Sequence, residues 1–429
     1  MYSRRKLLQS GLAIGAMAPC LSPLSAIAAD VNLRVLYWGS PDRVKRTNAV
    51  SELFAKAHPG FSAGAEVSSD YWAKLNTMMA GGNMPDVLQL EPNTLPDYSR
   101  RGVLVSLDEL VAKGTIRTKD LAKGTLDLGR VDKKTTGIAQ SLNSFAMTYD
   151  KGAYAKAGIP EPTYGLTWDE FAKQALEIAK ASGSSRYWGS PYGARQTNVF
   201  QAWLTQRGKL YFTEDQKIGF DLDDAKEFYT YWENLRKSGG CTPADVSTKG
   251  LVTADGSEMA QRACSCALLY SNNLTNFNTL LPEARLGIAP FPIIKKGGVS
   301  GLFYRPGLAW SISRDAKNVE AAAKYIDFFV NDVAAGKALE VERGIPPNLK
   351  VRSEIAAQLS EYQKMSVDFI SSIEKIVTPY PPASPAGAIE VENGVVRPIA
   401  DQLAFGKITV DEAAKKLIEG AKRAIRQQS

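Results

Sequence analysis

Residues 33–38, LRVLYW, begin an alternation of strand and helix patterns that decides the fold. Apolar residues then recur at helical spacing over 44–57, and a weaker strand pattern covers 61–67. A second helical stripe follows over 72–79, and the run DVLQL at 86–90 predicts a third strand. This β-α-β-α-β order predicts a parallel sheet with right-handed crossovers.

The later part of the chain continues this mixture of helices and strands. Thr167 with Glu170, and Thr409 with Glu412, have the spacing of capping boxes, in which the hydroxyl and the carboxylate satisfy each other's free backbone amides. They predict two helix starts, the second of them opening an amphipathic C-terminal helix. Further strands are predicted over 264–270, 286–289 and 308–313.

The length of the chain limits the number of domains. Its 429 residues are too many for one hydrophobic core, because single cores stop growing at about 250–300 residues. We therefore predict two α/β lobes. The composition is that of a globular protein, and beyond the N-terminus no stretch is apolar for long enough to span a membrane.

The N-terminal segment has the pattern of an export signal. Arg4, Arg5 and Lys6 precede a short apolar run, and Ala26-Ile27-Ala28 is an A-x-A cleavage site. The adjacent arginines are typical of twin-arginine export. We predict that residues 1–28 are removed and that the mature protein is periplasmic. A membrane anchor is disfavoured, because a spanning helix needs about 20 mostly apolar residues.

Charge and cysteine usage narrow the function further. The net charge of +7 falls to +4 without the three basic residues of the signal, which argues against a nucleic-acid partner and tolerates an anionic small ligand. Three cysteines follow the signal. In an oxidising compartment Cys241 is expected to pair with Cys264 or Cys266, which leaves one thiol free.

The motifs of most enzyme classes are absent from the sequence. His58 is the only histidine, which excludes sites that need two, and there is no nucleophile elbow and no glycine-rich phosphate loop. The acidic run at 221–224 lacks the glycine and the last glutamate of a calcium loop. We predict no metal, no cofactor and no enzymatic activity. A carboxylate pair, as in glycosidases, stays open because folding decides which carboxylates meet.

Aromatic, amide and charged residues stand where the predicted strands end. In open α/β sheets, ligands bind beyond the carboxyl ends of the strands. These residue types suit a sugar, because its C–H face packs on an aromatic ring and its neighbouring hydroxyls pair with forked polar groups. The candidates at strand ends are Trp38, Gly39, Ser40, Asp70, Gln89, Glu91, Asn93, Ser271, Asn272, Arg305, Gly307 and Trp310.

Core packing is the competing interpretation of each aromatic residue. Trp72 and Trp232 lie on helical stripes, which predicts that both are buried in the core. Trp38 precedes Gly39 at a strand end, which favours a ligand contact. For Trp310 the core and ligand interpretations both stay open.

Three arginines bear on the charge of the ligand. Arg43, Arg305 and Arg343 would suit the carboxylate, phosphate or sulfonate of a derivatised sugar if they converged. The alternative is that they are surface residues that face different directions.

Six stretches in a particular order resemble one family over the whole mature chain. The family is the extracellular solute-binding proteins of ABC importers, in the branch that serves oligosaccharides and glycerol phosphate derivatives. The stretches are VLYWGSPDR (35–43), AGGNMPDVLQLEPNTLPDYSRRGVLVSLDEL (80–110), SLNSFAMTYDKGAYAKAGIPEPTYGLTWDEF (141–171), RPGLAWSISRDAKNVEAAAKYIDFFVND (305–332), RGIPPN (343–348) and FGKITVDEAAKKLIEGAKRAI (405–425).

The resemblance implies a two-lobed periplasmic-binding-protein fold, in which each lobe is a mostly parallel sheet flanked by helices and hinge strands join the lobes. The chain is expected to cross between lobes near 139–143, 292–301 and 344–347. The implied division assigns residues 29–140 and 299–344 to lobe 1 and residues 141–298 and 345–429 to lobe 2.

The resemblance also implies a set of ligand contacts and a function. The protein is expected to be a monomer that captures a carbohydrate in the cleft and delivers it to an ABC permease. The alternative is a secreted carbohydrate-active enzyme. The residues carried over are Trp38, Gly39, Ser40, Arg43, Gln89, Glu91, Asn93, Gln140, Asn143, Arg305, Gly307 and Trp310, with Ser271, Asn272 and Arg343 as weaker matches.

Overall fold

The structure, a computed structural model, describes residues 31–426. The expected signal segment and its cleavage site lie outside the described residues. The strands are β1 (Val31–Tyr37), β2 (Phe61–Val67), β3 (Val87–Leu90), β4 (Arg130–Val131), β5 (Lys134–Thr135), β6 (Ile138–Ala139), β7 (Leu142–Asn143), β8 (Phe145–Asp150), β9 (Cys266–Tyr270), β10 (Leu286–Ala289), β11 (Arg305–Pro306) and β12 (Ala309–Ile312).

Seventeen α-helices of the described chain surround these strands, and short 3₁₀ and π turns connect some of them. The helices are α1 (Pro41–Ala57), α2 (Tyr71–Ala80), α3 (Leu95–Arg100), α4 (Asp108–Ala112), α5 (Lys151–Ala157), α6 (Trp168–Ser182), α7 (Thr197–Thr205), α8 (Leu222–Lys237), α9 (Ala244–Ser247), α10 (Asn273–Leu280), α11 (Val319–Asn331), α12 (Val333–Leu339), α13 (Leu349–Ile355), α14 (Glu361–Ser372), α15 (Ala388–Glu390), α16 (Arg397–Ala404) and α17 (Val410–Arg426).

The first sheet has five strands in the order β2-β1-β3-β12-β6. Strands β1, β2 and β3 run parallel, as the β-α-β-α-β pattern predicts, and β12 joins antiparallel between β3 and β6. Successive residues of β1 point to opposite faces of the sheet. Tyr37 packs with Phe54 of α1 on one face, whereas Leu36 packs with Leu75 of α2 on the other. The sheet is therefore buried on both sides.

The second sheet has three strands in the order β10-β8-β9, and both pairings are antiparallel. The expectation of a mostly parallel sheet is wrong for these strands. The reason is that β8, β9 and β10 are short apolar runs that are buried on both faces. The sequence pattern of such a run does not indicate whether it pairs parallel or antiparallel with its neighbours. Helices still flank this sheet, so the α/β class holds.

The chain passes between the two sheets through short strands that pair with each other. It leaves the first sheet at β6, forms β7, and enters the second sheet at β8; it returns through β11, which pairs with β7. Residues 302–304 still pack in the core around the second sheet. This packing favours a return near residue 305, later in the chain than the predicted boundary between 298 and 299.

The two helix starts predicted from capping boxes are confirmed. In α6, Thr167 and Glu170 form the reciprocal capping box. At the start of α17, the Thr409 amide donates to Glu412 Oε2 over 2.8 Å, and the Glu412 amide donates to Thr409 Oγ1 over 3.2 Å. Ser40, which the sequence analysis named only as a ligand candidate, caps α1 by accepting a hydrogen bond from the Arg43 amide. Capping can be predicted from the sequence because it depends only on residues that are close together along the chain.

The three cysteines of the described chain are free thiols, and all are buried. The expected disulfide from Cys241 to Cys264 or Cys266 is therefore absent. Cys264 instead donates to the carbonyl of Cys266, two residues away. Burial raises the pKa of Cys266 to about 12, and it raises the pKa of Cys241 and Cys264 as well. Thiols in this state are poor nucleophiles.

We expect a thiol reagent such as DTNB to leave the folded mature chain, produced from Ala29 onward, unlabelled at neutral pH. After denaturation without reductant it should label three thiols, because burial alone protects them. The measurement is the absorbance of released thiolate before and after adding guanidinium chloride. Release of one equivalent in denaturant would mean that a disulfide forms after all.

Candidate functional site

A cavity of about 640 Å³ opens where β7 and β11 meet the end of β9. Its volume lies within the range of small-ligand sites. Four of the sequence candidates line it, together with ten residues that are not among those candidates. The candidates are Asn143, Asn272, Arg305 and Gly307, and the others are Val252, Thr253, Ala254, Asp255, Tyr270, Asn273, Asn276, Thr279, Leu280 and Pro306.

Arg305 is the cation in the cavity lining. Its guanidinium carbon lies 5.0 Å from the centre of the Tyr270 ring, within cation–π distance. Within residues 31–426 it forms no ion pair with a carboxylate. It is half-buried and lines the cavity without a counterion from the described chain.

The passage from β6 to β7 carries two buried amides and a hydroxyl, and of these Asn143 is the one in the described cavity lining, whereas Gln140 and Ser141 are not. Asn143 is 9% exposed and Gln140 is 5% exposed. Among the described residues, Asn143 Oδ1, Gln140 Nε2 and Ser141 Oγ find no hydrogen-bond partner. Gly307 leaves room for this arrangement, because an added Cβ would clash with Ser141 Oγ. Buried polar atoms without partners mark this seam as a place for a ligand or water.

Helix α10 presents a polar face to the cavity. Asn272, Asn276 and Thr279 are spaced by four and three residues, so they lie on one side of the helix. Asn272 is exposed at the helix start and makes no side-chain cap. The sequence analysis named Asn272 but missed Asn276 and Thr279; their helical spacing after a strand end is the signal that could have revealed them.

A loop over residues 252–255 forms a further part of the cavity lining. Its carboxylate, Asp255, is exposed. The pKa of Asp255 is lowered, chiefly because Thr253 donates a side-chain hydrogen bond to it and further because backbone amides do so. Asp255 therefore serves to shape the loop. Nothing in the sequence pattern pointed to this loop, because it lacks both periodicity and a strand end.

Other candidates belong to the first sheet and do not line the cavity. Trp38 is half-buried, and its ring centre lies 4.4 Å from that of Tyr71 and 5.5 Å from that of Trp72. Its ring therefore belongs to an aromatic cluster, as does Trp72. The remaining exposed or half-buried candidates on this edge are Gly39, Ser40, Asp70, Glu91 and Asn93.

Trp310 is fully buried, which decides its open interpretation for the core. It stands opposite Gln89 in the β12–β3 pairing and on the same face of the sheet. Helices α1 and α11 cover that face. Trp310 and Gln89 therefore lie inside the first half of the molecule, and Ser271, which accepts from the Ser144 amide over 3.2 Å, is buried in the second.

Arg343 is a buried cation, 6% exposed, that connects three segments. It donates to Gln89 Oε1, to Gln140 Oε1 over 2.7 Å, and to Thr47 Oγ1 over 2.7 Å. Its guanidinium carbon also lies 5.3 Å from the ring centre of Trp310. Burial, helped by the charge of Arg43, lowers its pKa to about 10. Arg343 is thus used internally and does not reach the cavity.

Arg43 is likewise engaged within the protein. Its Nε lies 2.8 Å from Glu342 Oε1, and both side chains are mostly buried. Gly39 permits this fold-back, because an added Cβ there would clash with the aliphatic stem of Arg43. The three arginines therefore do not converge, and only Arg305 faces the cavity.

One buried carboxyl group lies behind the cavity loop. Glu258 is 5% exposed, and its carboxyl atoms pack against Gly250, just before the loop. Burial raises its pKa to about 7, although the nearby charge of Arg195 opposes this effect. A carboxyl group with such a pKa changes its charge near neutral pH.

Two further properties concern the described chain as a whole. Within residues 31–426, no helix combines the length and the apolar character needed to cross a membrane. In the same range, His, Cys, Asp and Glu side chains form no group of three or more that could hold a metal ion.

Comparison with known proteins now gives the class. The family model described as "Bacterial extracellular solute-binding protein" matches residues 41–336, more than half of the chain. The chain belongs to this family of binding proteins. The sequence resemblance is thereby confirmed.

Individual relatives cover most of the chain. An extracellular solute-binding protein family 1 structure from Alicyclobacillus acidocaldarius subsp. acidocaldarius DSM 446 is 28% identical, with a TM-score of 0.81 over 93% of this chain and 99% of that one. A periplasmic oligogalacturonide binding protein from Yersinia enterocolitica is 22% identical, with a TM-score of 0.79 over 93% and 100%. The sn-glycerol-3-phosphate-binding periplasmic protein of Shigella dysenteriae serotype 1 (strain Sd197) is 21% identical over 334 residues, 75% of each chain.

These structural matches confirm the predicted two-lobed periplasmic-binding-protein fold. The first and second sheets are the centres of the two lobes. The family also supports an extracellular or periplasmic location. The residue boundaries of the lobes stay a prediction.

Replacing Arg343 with Met should lower the free energy of unfolding by about 3–5 kcal/mol, because Gln89, Gln140 and Thr47 would each keep a buried acceptor without its donor. Arg100→Met is the matched control, since its ion pair with Asp132 is exposed and worth at most about 1 kcal/mol. Urea unfolding followed by tryptophan fluorescence compares the two. Equal losses in both variants would refute the role of Arg343.

Replacing Glu258 with Gln should make stability less sensitive to pH. The folded pKa of about 7 lies above the ordinary value of 4.5, so the native state binds the extra proton. The stabilisation that comes from this proton is fully present below pH 4.5 and is lost as the pH rises to 7. The loss lowers the free energy of unfolding by roughly 3 kcal/mol. Urea unfolding at pH 5 and pH 8 should show that Glu258→Gln has a higher free energy of unfolding than the wild type only at pH 8. The exposed Glu283→Gln serves as control, and an equal effect of Glu258→Gln at both values would contradict the prediction.

Proposed function

We propose that this protein is the substrate-binding component of an ABC importer, which captures a carbohydrate in the cleft between its lobes. The ligand is an oligosaccharide or a derivatised or acidic sugar. The observation that carries the proposal is the cavity beside the strand passages, in which Asn143, Asn272, Asn276 and Arg305 surround one space. Amide and guanidinium groups can each contact two neighbouring hydroxyls, which is the arrangement that sugar edges present.

The relatives support the same class of ligand. Two of them are described as binding oligogalacturonide and sn-glycerol 3-phosphate, which are polyhydroxylated and anionic. The cavity is also suited to holding a sugar without cleaving it. Asp255 is the only carboxylate in its lining, so the described site lacks the carboxylate pair of a glycosidase.

The mechanism involves no bond-making step. The ligand contacts both lobes, and its higher affinity for the closed arrangement drives closure about the passages at β7 and β11. The closed protein then docks on a membrane permease, whose ATPase subunits supply the energy. The protein acts as a monomer after twin-arginine export and cleavage near Ala28.

A panel of neutral and acidic oligosaccharides should identify ligands through thermal shift, because a ligand at 100 times its dissociation constant adds about 2.7 kcal/mol to stability. Incubation followed by chromatography should return the sugar unchanged. Turnover would favour the carbohydrate-active enzyme instead, and the absence of any shift across the panel would refute carbohydrate binding.

The variant Asn276→Ala should weaken binding of the sugar so identified by about tenfold, which is the loss of one to two hydrogen bonds. Asn234→Ala, an exposed asparagine on α8, is the matched control and should leave affinity unchanged. Isothermal titration calorimetry measures both. If Asn276→Ala binds as tightly as the wild type, the α10 face is not part of the site.

A further inference from the structure

The cavity contains one cationic side chain whose charge the described protein leaves unbalanced. Of the three arginines that the sequence offered, Arg43 is paired with Glu342, and Arg343 is hydrogen-bonded in the core. Arg305 instead lies at the cavity with its guanidinium over Tyr270 and without an ion pair among residues 31–426. A half-buried arginine with this geometry is ready to pair with an anion.

The carboxylate in the described cavity lining has hydrogen-bond partners of its own. Asp255 is the carboxylate of the cavity lining, and the Thr253 hydroxyl and nearby backbone amides hydrogen-bond to it. It forms no ion pair with Arg305 in the described chain, and it faces solvent. The positive charge of Arg305 therefore has no counterion within the described chain, and an anionic ligand can provide one.

Two further features point the same way. Helix α10 begins at the cavity, and its N-cap residue Asn272 makes no side-chain bond to the first-turn amides. The positive end of a helix favours a negative group. Independently, Asn143 is nine-tenths buried at the cavity wall, and its Oδ1 has no partner in the described chain, so it can accept a bond from a ligand hydroxyl.

We infer that Arg305, together with the start of α10, recognises an anionic substituent on the sugar, while Asn143 accepts a bond from a neighbouring hydroxyl. The inference rests on the proposed function and narrows it: the protein selects sugars that carry a carboxylate or a phosphate over their neutral counterparts. Arg305 is the specificity-determining residue. Arg43 and Arg343 contribute nothing to this choice, because Arg43 pairs with Glu342, Arg343 is buried in the first lobe, and neither lines the described cavity.

Isothermal titration calorimetry on the mature chain tests the inference with two pairs of probes. Digalacturonic acid against digalactose reports on a carboxylate, and sn-glycerol 3-phosphate against glycerol reports on a phosphate. At least one anionic probe should bind ten times or more tightly than its neutral counterpart, and its affinity should fall as salt is raised. The pair that shows the preference distinguishes carboxylate from phosphate recognition.

Variants at Arg305 separate charge from shape. Arg305→Gln should reduce the preference for the anionic probe at least tenfold. Arg305→Lys should keep part of this preference, because lysine has the positive charge but lacks the forked guanidinium group. Arg262→Gln, an exposed arginine paired with Glu283, is the control and should keep the wild-type preference. Circular dichroism confirms that each variant folds.

The outcomes separate this inference from the proposed function. If neutral sugars of the wider panel bind as tightly as acidic ones, or if Arg305→Gln weakens both kinds equally, the inference is wrong while carbohydrate binding stands. If no sugar of either kind binds, the proposed function fails and the inference fails with it.

Discussion

The buried guanidinium of Arg343 is the interaction on which the arrangement of the site depends. A charge inside a protein is tolerated only when its donors are satisfied. Both terminal nitrogens of Arg343 are satisfied, because they join the end of β3 through Gln89, the segment after β6 through Gln140, and helix α1 through Thr47. The carboxyl edge of the first sheet and the first strand passage are therefore held by the same side chain.

The residues on either side of Arg343 in sequence also contact this edge and the strand passage. Glu342 pairs with Arg43 and holds the loop after β1, and Gly344, at a φ of +102°, packs beside Ser141 in the passage. Three consecutive residues thus join the first lobe to the strands on which closure would turn. The first lobe engages Arg43 and Arg343, so Arg305 is the one of the three arginines that lines the described cavity.

Candidate ligand contacts lie on both sides of the strand passage. The first lobe contributes an aromatic cluster around Trp38 and exposed polar positions at its strand ends. The described cavity lies on the other side, against α10 and the loop over 252–255. Glu258 packs beneath that loop with a pKa near 7, so the loop rests on a group whose charge is costly to bury. The proposed sugar site and a pH-sensitive buried group therefore share one segment.

The sequence by itself determined the features that depend on neighbours along the chain: the β-α-β-α-β order, the caps at Thr167 and Thr409, and the family resemblance over the mature chain. Only the tertiary structure decided strand direction in the second sheet, the state of the cysteines, and which arginine is free. Trp310 and Trp38 both follow or form strand ends in the sequence, yet one is core and the other half-exposed. The physical reason is that a periodic pattern reports which residues are buried, whereas the partner of a buried charge or ring is chosen by segments hundreds of residues away.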